Sequence, residues 1–332
     1  MAAEVNGLAD GGAAGAARTG LRRFFRSEEI GVITGLLAIG LVMALTTDSF
    51  LQASNLLQVT RQASYYGIMA VGMVFVLSMG DVDLSVGSIF TLVNIVTAIC
   101  LRERYGVPVA ISAGLLCGAM CGLLNGVLSV VLRIPMIIVT LGTLSVYRGL
   151  ALVASSASPI SQFSKETAFI TIGGGRVLGI PTSAVVMVVI GIVGYVLFNQ
   201  TPFGWRVQAI GSSAQAARYS GIPISYHRIA VMTLMGGISA LAGIMALAFL
   251  ESADPSSGQG FELRVIASAI IGGTTLSGGS GSIPGAILGA LMIALIANGL
   301  ALHEVNAYWS TAITGVVIIV AVAVGALVKR KS

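Results

Sequence analysis

Charge is what this chain has least of. Of its 332 residues 9% are charged and 56% are hydrophobic, where an ordinary soluble domain carries about 25% charge. So few charged groups cannot cover a water-soluble surface, and a soluble globular domain is excluded. Histidine occurs twice, at His227 and His303, and cysteine three times, at Cys100, Cys117 and Cys121. No Cys/His cluster has the spacing of a zinc site, so no metal is expected, and the cysteines, all within apolar runs, read as small packing residues. The only lysines are Lys165, Lys329 and Lys331. None follows the Gly-x-x-x-x-Gly-Lys-Ser/Thr pattern whose lysine and backbone amides hold a nucleotide. The glycine-rich run IGGTTLSGGSGSIPG, 271–285, lacks that lysine. Gly-x-Ser-x-Gly is approached only out of register, at 278–282, and no paired base accompanies it. The chain is therefore not expected to be an enzyme or to carry a cofactor, and without a basic folded face no nucleic-acid partner is expected.

Apolar runs long enough for a bilayer, about 20 residues each, recur along nearly the whole length. Helix candidates fall at 30–46, 58–79, 86–101, 107–132, 135–154, 181–199, 229–250, 263–275, 284–301 and 306–328. The expected fold class is an all-α integral membrane protein of about ten transmembrane helices, some broken or re-entrant. The candidate at 263–275 is short for a crossing, and 80–87 interrupts another pair; such breaks are tolerated where protein or a water-filled path covers the backbone. The 43 glycines read as helix-to-helix contacts, because small residues let membrane helices approach closely.

The basic residues cluster at the two ends, Arg18, Arg22, Arg23 and Arg26 in front and Lys329, Arg330 and Lys331 behind. The positive-inside rule then puts both ends in the cytoplasm, which agrees with an even helix count. Residues 1–29 read as a cytoplasmic tail, 30–328 as one membrane domain and 329–332 as a basic cytoplasmic end. No small-residue cleavage pattern follows the first apolar stretch, so it reads as a retained helix rather than an export signal. Of the two long polar stretches, 155–179 falls outside and 201–228 inside. The inner one carries Arg206, Arg218, His227 and Arg228, the outer one Lys165 and Arg176. A weak echo links SFLQASN and GDVDLSVGSIF to AFLESAD and TLSGGSGSIPG, as parallel repeats would.

The sharpest polar feature is GDVDLSVGS, with Asp81, Asp83 and Ser85 beside long apolar runs. Two readings stay open: a role in lining or gating a path, since intramembrane carboxylates are costly, or a place at the membrane face with Asp83 capping a helix that starts near Leu84. Asn94, Asn125, Thr140, Thr143, Ser145 and Asn298 are path candidates, with hydrogen bonds between helices as the plainer alternative. Arg148 and Arg264 lie nearer apolar centres and could face a polar path or pair with acids such as Glu262. Arg61 with Gln62, and Arg133 with Pro135, read as helix borders whose long side chains reach water.

Four blocks together carry a family likeness: IMAVGMVFVLSMGDVDLSVGS from Ile68, IPMIIVTLGTLSVYRGL from Ile134, AIGSSAQAARYSGIPI from Ala209, and IIGGTTLSGGSGSIPGAILGALMIALIANGL from Ile270. From about residue 30 onward the chain resembles the membrane permease subunits of bacterial ABC importers for ribose and related monosaccharides. That resemblance implies a bacterial inner-membrane protein paired with a second permease subunit, alike or different, with cytoplasmic ATPase subunits and a periplasmic sugar-binding protein as partners. It also implies a coupling loop seated on the ATPase, here Gly211, Ala214, Ala216, Ala217, Arg218 and Gly221. The residues agree, since the alanines favour a short helix and Gly221 and Pro223 end it. Ser212, Ser213 and Gln215 stand where the family often has an Asn and an acidic residue, and Pro284 falls where relatives usually continue without proline. A nucleoside, polyol or furanose cargo is the nearest alternative. A proton-coupled secondary transporter using Asp81 or Asp83 is the alternative from another class.

Overall fold

A computed structural model describes residues 27–161, 163, 167–306, 309, 312, 313, 315, 316 and 319. The expected N-terminal tail up to residue 26, most of the 306–328 candidate and the basic C-terminus lie outside the described residues.

The elements run α1 Ser27–Thr46, α2 Ala53–Ser78, α3 Val86–Arg102, α4 Val107–Leu132, α5 Met136–Ala154 and α6 Thr167–Gly174. They continue with β1 Arg176–Val177, β2 Ile180–Pro181, α7 Thr182–Asn199, α8 Pro202–Ser212, α9 Ala214–Tyr219, α10 Ile224–Leu250, α11 Phe261–Ile271 and α12 Ile283–Leu302. Nine of the ten helix candidates coincide with one of these. Six of the described helices, α1, α4, α5, α7, α10 and α12, are long and apolar enough to cross a membrane, so the chain is a multi-span helical membrane protein. At 11 residues α11 is about 16 Å long and too short to cross.

One small exception to an all-helical chain was not expected. Strands β1 and β2 form a hairpin with Val177 opposite Ile180, and the two turn residues, Leu178 and Gly179, both have positive φ, 52° and 84°. That is the turn geometry that matches strand twist in two-residue hairpins. Its usual Asn-Gly or Asp-Gly signature is absent, so the sequence does not announce it.

The core is built around α2. Every residue of 63–78 is buried, and α12, α10, α7 and α11 pack around it. This helix is missing from the six membrane candidates because its first turns carry Ser54, Asn55, Gln58, Arg61 and Gln62.

Glycines do act as contacts. Gly114, Gly118, Gly122 and Gly126 recur every four residues along α4 and face α10, where Gly236 and Ala240 face back. A side-chain carbon at Gly118 would lie 2.6 Å from the Gly236 carbonyl oxygen and 2.5 Å from the Ala240 methyl. Close approach of this kind replaces the water-driven burial that lipid does not supply. Gly118→Val is expected to lower stability by about 2–3 kcal/mol, read as thermal unfolding in detergent. Gly142→Val, at a glycine with no atom within 4 Å, is the control and should leave stability nearly unchanged.

Three non-helical connections, 79–85, 251–260 and 272–282, matter for the site. The first turns of α3 and α11 meet: the Gly258 N–H donates to the Thr91 hydroxyl at 3.0 Å, and Gly87 packs against Gly258, Phe261 and Glu262. The turns after α2 and α11 also touch, through the Gly279 N–H donating to the Ser78 carbonyl at 2.8 Å. The sequence echo has a structural counterpart. In both halves a loop, a helix (α2 or α11), a glycine-containing turn and a second helix (α3 or α12) follow in that order, with Ser85 and Ser282 as the N-caps. Pro284 sits in the first turn of α12, where its missing N–H costs nothing.

Candidate functional site

The non-helical segment 79–85 holds both aspartates. Asp83 is fully buried, and its Oδ1 accepts hydrogen bonds from the Ser85 backbone N–H at 2.8 Å and the Ser85 hydroxyl at 2.6 Å. This is a local turn that aims the chain into α3, whose first residue is Val86 and whose N-cap is Ser85. The expectation that Asp83 caps a helix starting near Leu84 is thus corrected: the cap position is Ser85, two residues on, and Asp83 instead holds Ser85. From Ser85 the network continues: Asn125 Nδ2 donates to the Ser85 hydroxyl at 2.8 Å, and the Tyr147 hydroxyl donates to Asn125 Oδ1 at 3.0 Å. The Thr140 hydroxyl donates to the Val82 carbonyl at 3.2 Å. Four of the residues picked from sequence, Asp83, Ser85, Asn125 and Thr140, are therefore brought together, tying 79–85 to α4 and α5.

Asp81 points elsewhere, into a two-bond ion pair with Arg228 near the start of α10. The Arg228 Nε donates to Oδ2 at 2.8 Å and a terminal nitrogen donates to Oδ1 at 3.2 Å. The side chain of Asp81 is 10% exposed and that of Arg228 31%. Pairing of this kind is what makes a largely buried carboxylate tolerable.

The remaining path candidates are dispersed. Asn94 is buried on α3 with no partner for its Oδ1 among the described residues, next to Gly243 of α10. Thr143 donates to the Thr140 carbonyl one turn back. Asn298 forms a reciprocal amide pair with Asn55 at 2.7 and 3.1 Å, joining α12 to α2, which is the helix-to-helix role.

Residues 211–221 form the expected short helix and more. Helix α8 precedes α9, and Ser213 between them caps α9 by accepting from the Ala216 N–H at 3.2 Å. Gly221 follows with φ 77°, a left-handed position suited to glycine at a helix end. Ala214, Ala216 and Arg218 are exposed, whereas Ala217 is 4% exposed and faces the body of the protein. Gly211 packs its backbone against the Ser78 carbonyl, the Gly279 N–H and Gly278. The exposed helix is thereby seated on the turns that follow α2 and α11.

The family described as branched-chain amino acid transport system / permease component matches residues 55–322. The chain belongs to this family of permease components.

Several relatives resemble the permease over nearly full length. The ribose import permease protein of Bacillus subtilis (strain 168) is 38% identical over 295 residues, 89% of this chain and 92% of the relative. The D-allose transport system permease protein of Escherichia coli (strain K12) is 33% identical, covering 86% of this chain and 88% of the relative. The xylose transport system permease protein of the same strain is 30% identical, covering 91% and 92%. No solved structure matches the chain.

In this permease, sequence reasoning missed Tyr147 and the pairing of Arg228 with Asp81. For Arg264 it left open a polar path or an acidic partner such as Glu262, and missed the Tyr66 hydroxyl, to which the guanidinium donates at 2.6 Å. Each missed partner is 22 to 198 residues away in sequence. Asp83→Ala is expected to cost about 2–3 kcal/mol, because it strands buried donors of Ser85, and Asp83→Asn about 1 kcal/mol or less, because it keeps Oδ1. Thermal unfolding of the purified permease separates the two.

Proposed function

We propose that this permease is the membrane subunit of an ATP-driven importer of a monosaccharide, a pentose or hexose, working by alternating access. The observation that carries this reading is the full-length likeness to permeases whose names specify ribose, allose and xylose. The chain has no phosphate-binding lysine loop, so ATP is hydrolysed by partner subunits on the cytoplasmic side, and the chain itself makes and breaks no covalent bond. A second permease subunit and a periplasmic binding protein complete the assembly in the bacterial inner membrane. Both termini are cytoplasmic, as the basic residues at the two ends of the sequence favour.

The coupling role goes to Gly211, Ala214, Ala216, Ala217, Arg218 and Gly221. Exposed Ala214, Ala216 and Arg218 meet the ATPase, while buried Ala217 and the closely packed Gly211 hold α9 to the membrane domain. Movement of α9 then passes to the turns at Ser78 and Gly279 and into 79–85. There Asp81, Asp83, Ser85, Asn125, Thr140 and Thr143 act as a gating network, with Asn94 and Asn298 on adjoining helix contacts.

Reconstitution tests the reading. The permease with its ATPase and binding protein in proteoliposomes should accumulate one labelled monosaccharide only when ATP is present. Accumulation driven by a proton gradient without the ATPase, and abolished by Asp83→Asn, would replace it with the secondary-transporter reading.

A further inference from the structure

We propose that Gln62, Tyr66, Phe261, Glu262 and Arg264 form a contact station for a neutral polyhydroxyl ring partway through the protein. The inference rests on the monosaccharide reading and adds a site to it, separate from the network around Asp83.

Place is the first argument. Tyr66 lies at the middle of α2, and Phe261 and Glu262 open α11, whose first turn meets that of α3 at Gly87. Interrupted helices converge here between the two echoing halves. In membrane transporters built from repeats, breaks of this kind line a path, because non-helical backbone is tolerated at that depth only beside protein or water.

Chemistry is the second. The Tyr66 and Phe261 rings stand 5.0 Å apart at 80°, and Phe90 adds a third ring 5.0 Å from Phe261. The Tyr66 hydroxyl accepts from Arg264 at 2.6 Å and from Gln62 at 3.4 Å. Oε2 of Glu262 is buried and has no hydrogen-bond partner among the described residues. It is packed against Gly87 where two helix N-termini meet, and their dipoles favour a negative charge there. Of the three rings Tyr66 and Phe90 are buried, and the partly exposed Phe261 is the one whose face can cover the C–H side of a sugar. A carboxylate accepts from a ring hydroxyl, and a guanidinium and an amide donate to its neighbours. One acid and one base leave the station neutral overall, which suits an uncharged cargo.

Exposure is the third. Gln62, Phe261, Glu262 and Arg264 are each partly exposed, and Leu263 beside them is 48% exposed. Charged groups within membrane helices face a polar path or protein rather than lipid, where their charge is costly.

The test uses the assembled importer in proteoliposomes, with Glu262→Gln, Tyr66→Phe and Arg264→Lys each checked for co-purification with the ATPase. ATP-driven uptake should fall about tenfold or more in Glu262→Gln, the loss of one charge-assisted hydrogen bond. Tyr66→Phe should change the ratio of pentose to hexose uptake. Wild-type uptake with unchanged rate and unchanged ratio in both variants would overturn the station. Efficient disulfide cross-linking of Glu262→Cys between two permease copies would overturn it too, making the face a subunit interface. If Glu262→Gln does not assemble, the Tyr66→Phe cargo ratio decides. No sugar uptake by the wild-type assembly would instead strike the monosaccharide reading, and the station with it.

Discussion

Arg228→Ala is expected to lower the stability of the purified permease by about 3 kcal/mol, and Asp81→Asn combined with Arg228→Gln should recover most of the loss. Removing one partner of a buried ion pair costs about 3–5 kcal/mol because the other charge is left behind. The lower end applies because the arginine side chain is 31% exposed and the aspartate 10%. In the double variant no charge is stranded, and the amide groups can still hydrogen-bond. The pair joins the segment 79–85 to the start of α10, so its loss should also free the network around Asp83. Thermal unfolding in detergent with a double-mutant cycle reads the effect, and additive single losses would contradict the pairing.

Gly211→Val is expected to reduce ATP-driven uptake at least about tenfold while the permease still folds and binds its ATPase. A side chain at Gly211 would run into the Ser78 carbonyl and the Gly279 N–H, and backbone at that distance has no soft end that can move aside. The clash is confined to the seat of α8 and α9, at the C-terminal end of α2 and the turn after α11. A change of about 1.4 kcal/mol in the coupling between the two sites is a tenfold effect, within the range seen for residues that connect sites. Uptake at wild-type rate in Gly211→Val would show that the ATPase signal does not pass through this contact. Arg218→Ala should by contrast weaken ATPase binding without altering the membrane domain, because Arg218 is exposed and touches none of these turns.

Much of the fold was legible because hydropathy is nearly the whole signal in lipid, and the elements it misjudged show where that signal stops. Helix α10 begins at Ile224, five residues before the apolar run, because Arg228 is neutralised by Asp81 and the His227 ring stacks on Phe203 with centroids 5.7 Å apart. The start of α2 at Ala53 likewise falls outside the candidate 58–79, since Ser54 and Asn55 look solvated until Asn55 meets Asn298 on α12. A polar residue whose partner is 147 or 243 residues away leaves no local trace.

The site was half legible for the same reason. Composition singled out Asp81, Asp83, Asn125 and Thr140 as costly in an apolar setting, and they do lie on or around 79–85. A helix cap was expected of Asp83 alone, whose partner Ser85 is two residues away, whereas the Arg228 partner of Asp81 is 147 residues away. In the coupling segment the alanines predicted a helix, but not its rotation. Ala217 turns inward while Ala214 and Ala216 face out, so a bulky charge at Ala217 would damage the seat of the helix before it touched the ATPase. The exposed face around Arg218 is the better place to probe that contact.

The most direct test of the central claim is uptake of a panel of labelled monosaccharides by cells lacking the gene for this permease, with and without the gene restored. Loss and recovery of one pentose or hexose, dependent on ATP, is the result expected. Unchanged uptake of every sugar in the panel would contradict the monosaccharide importer.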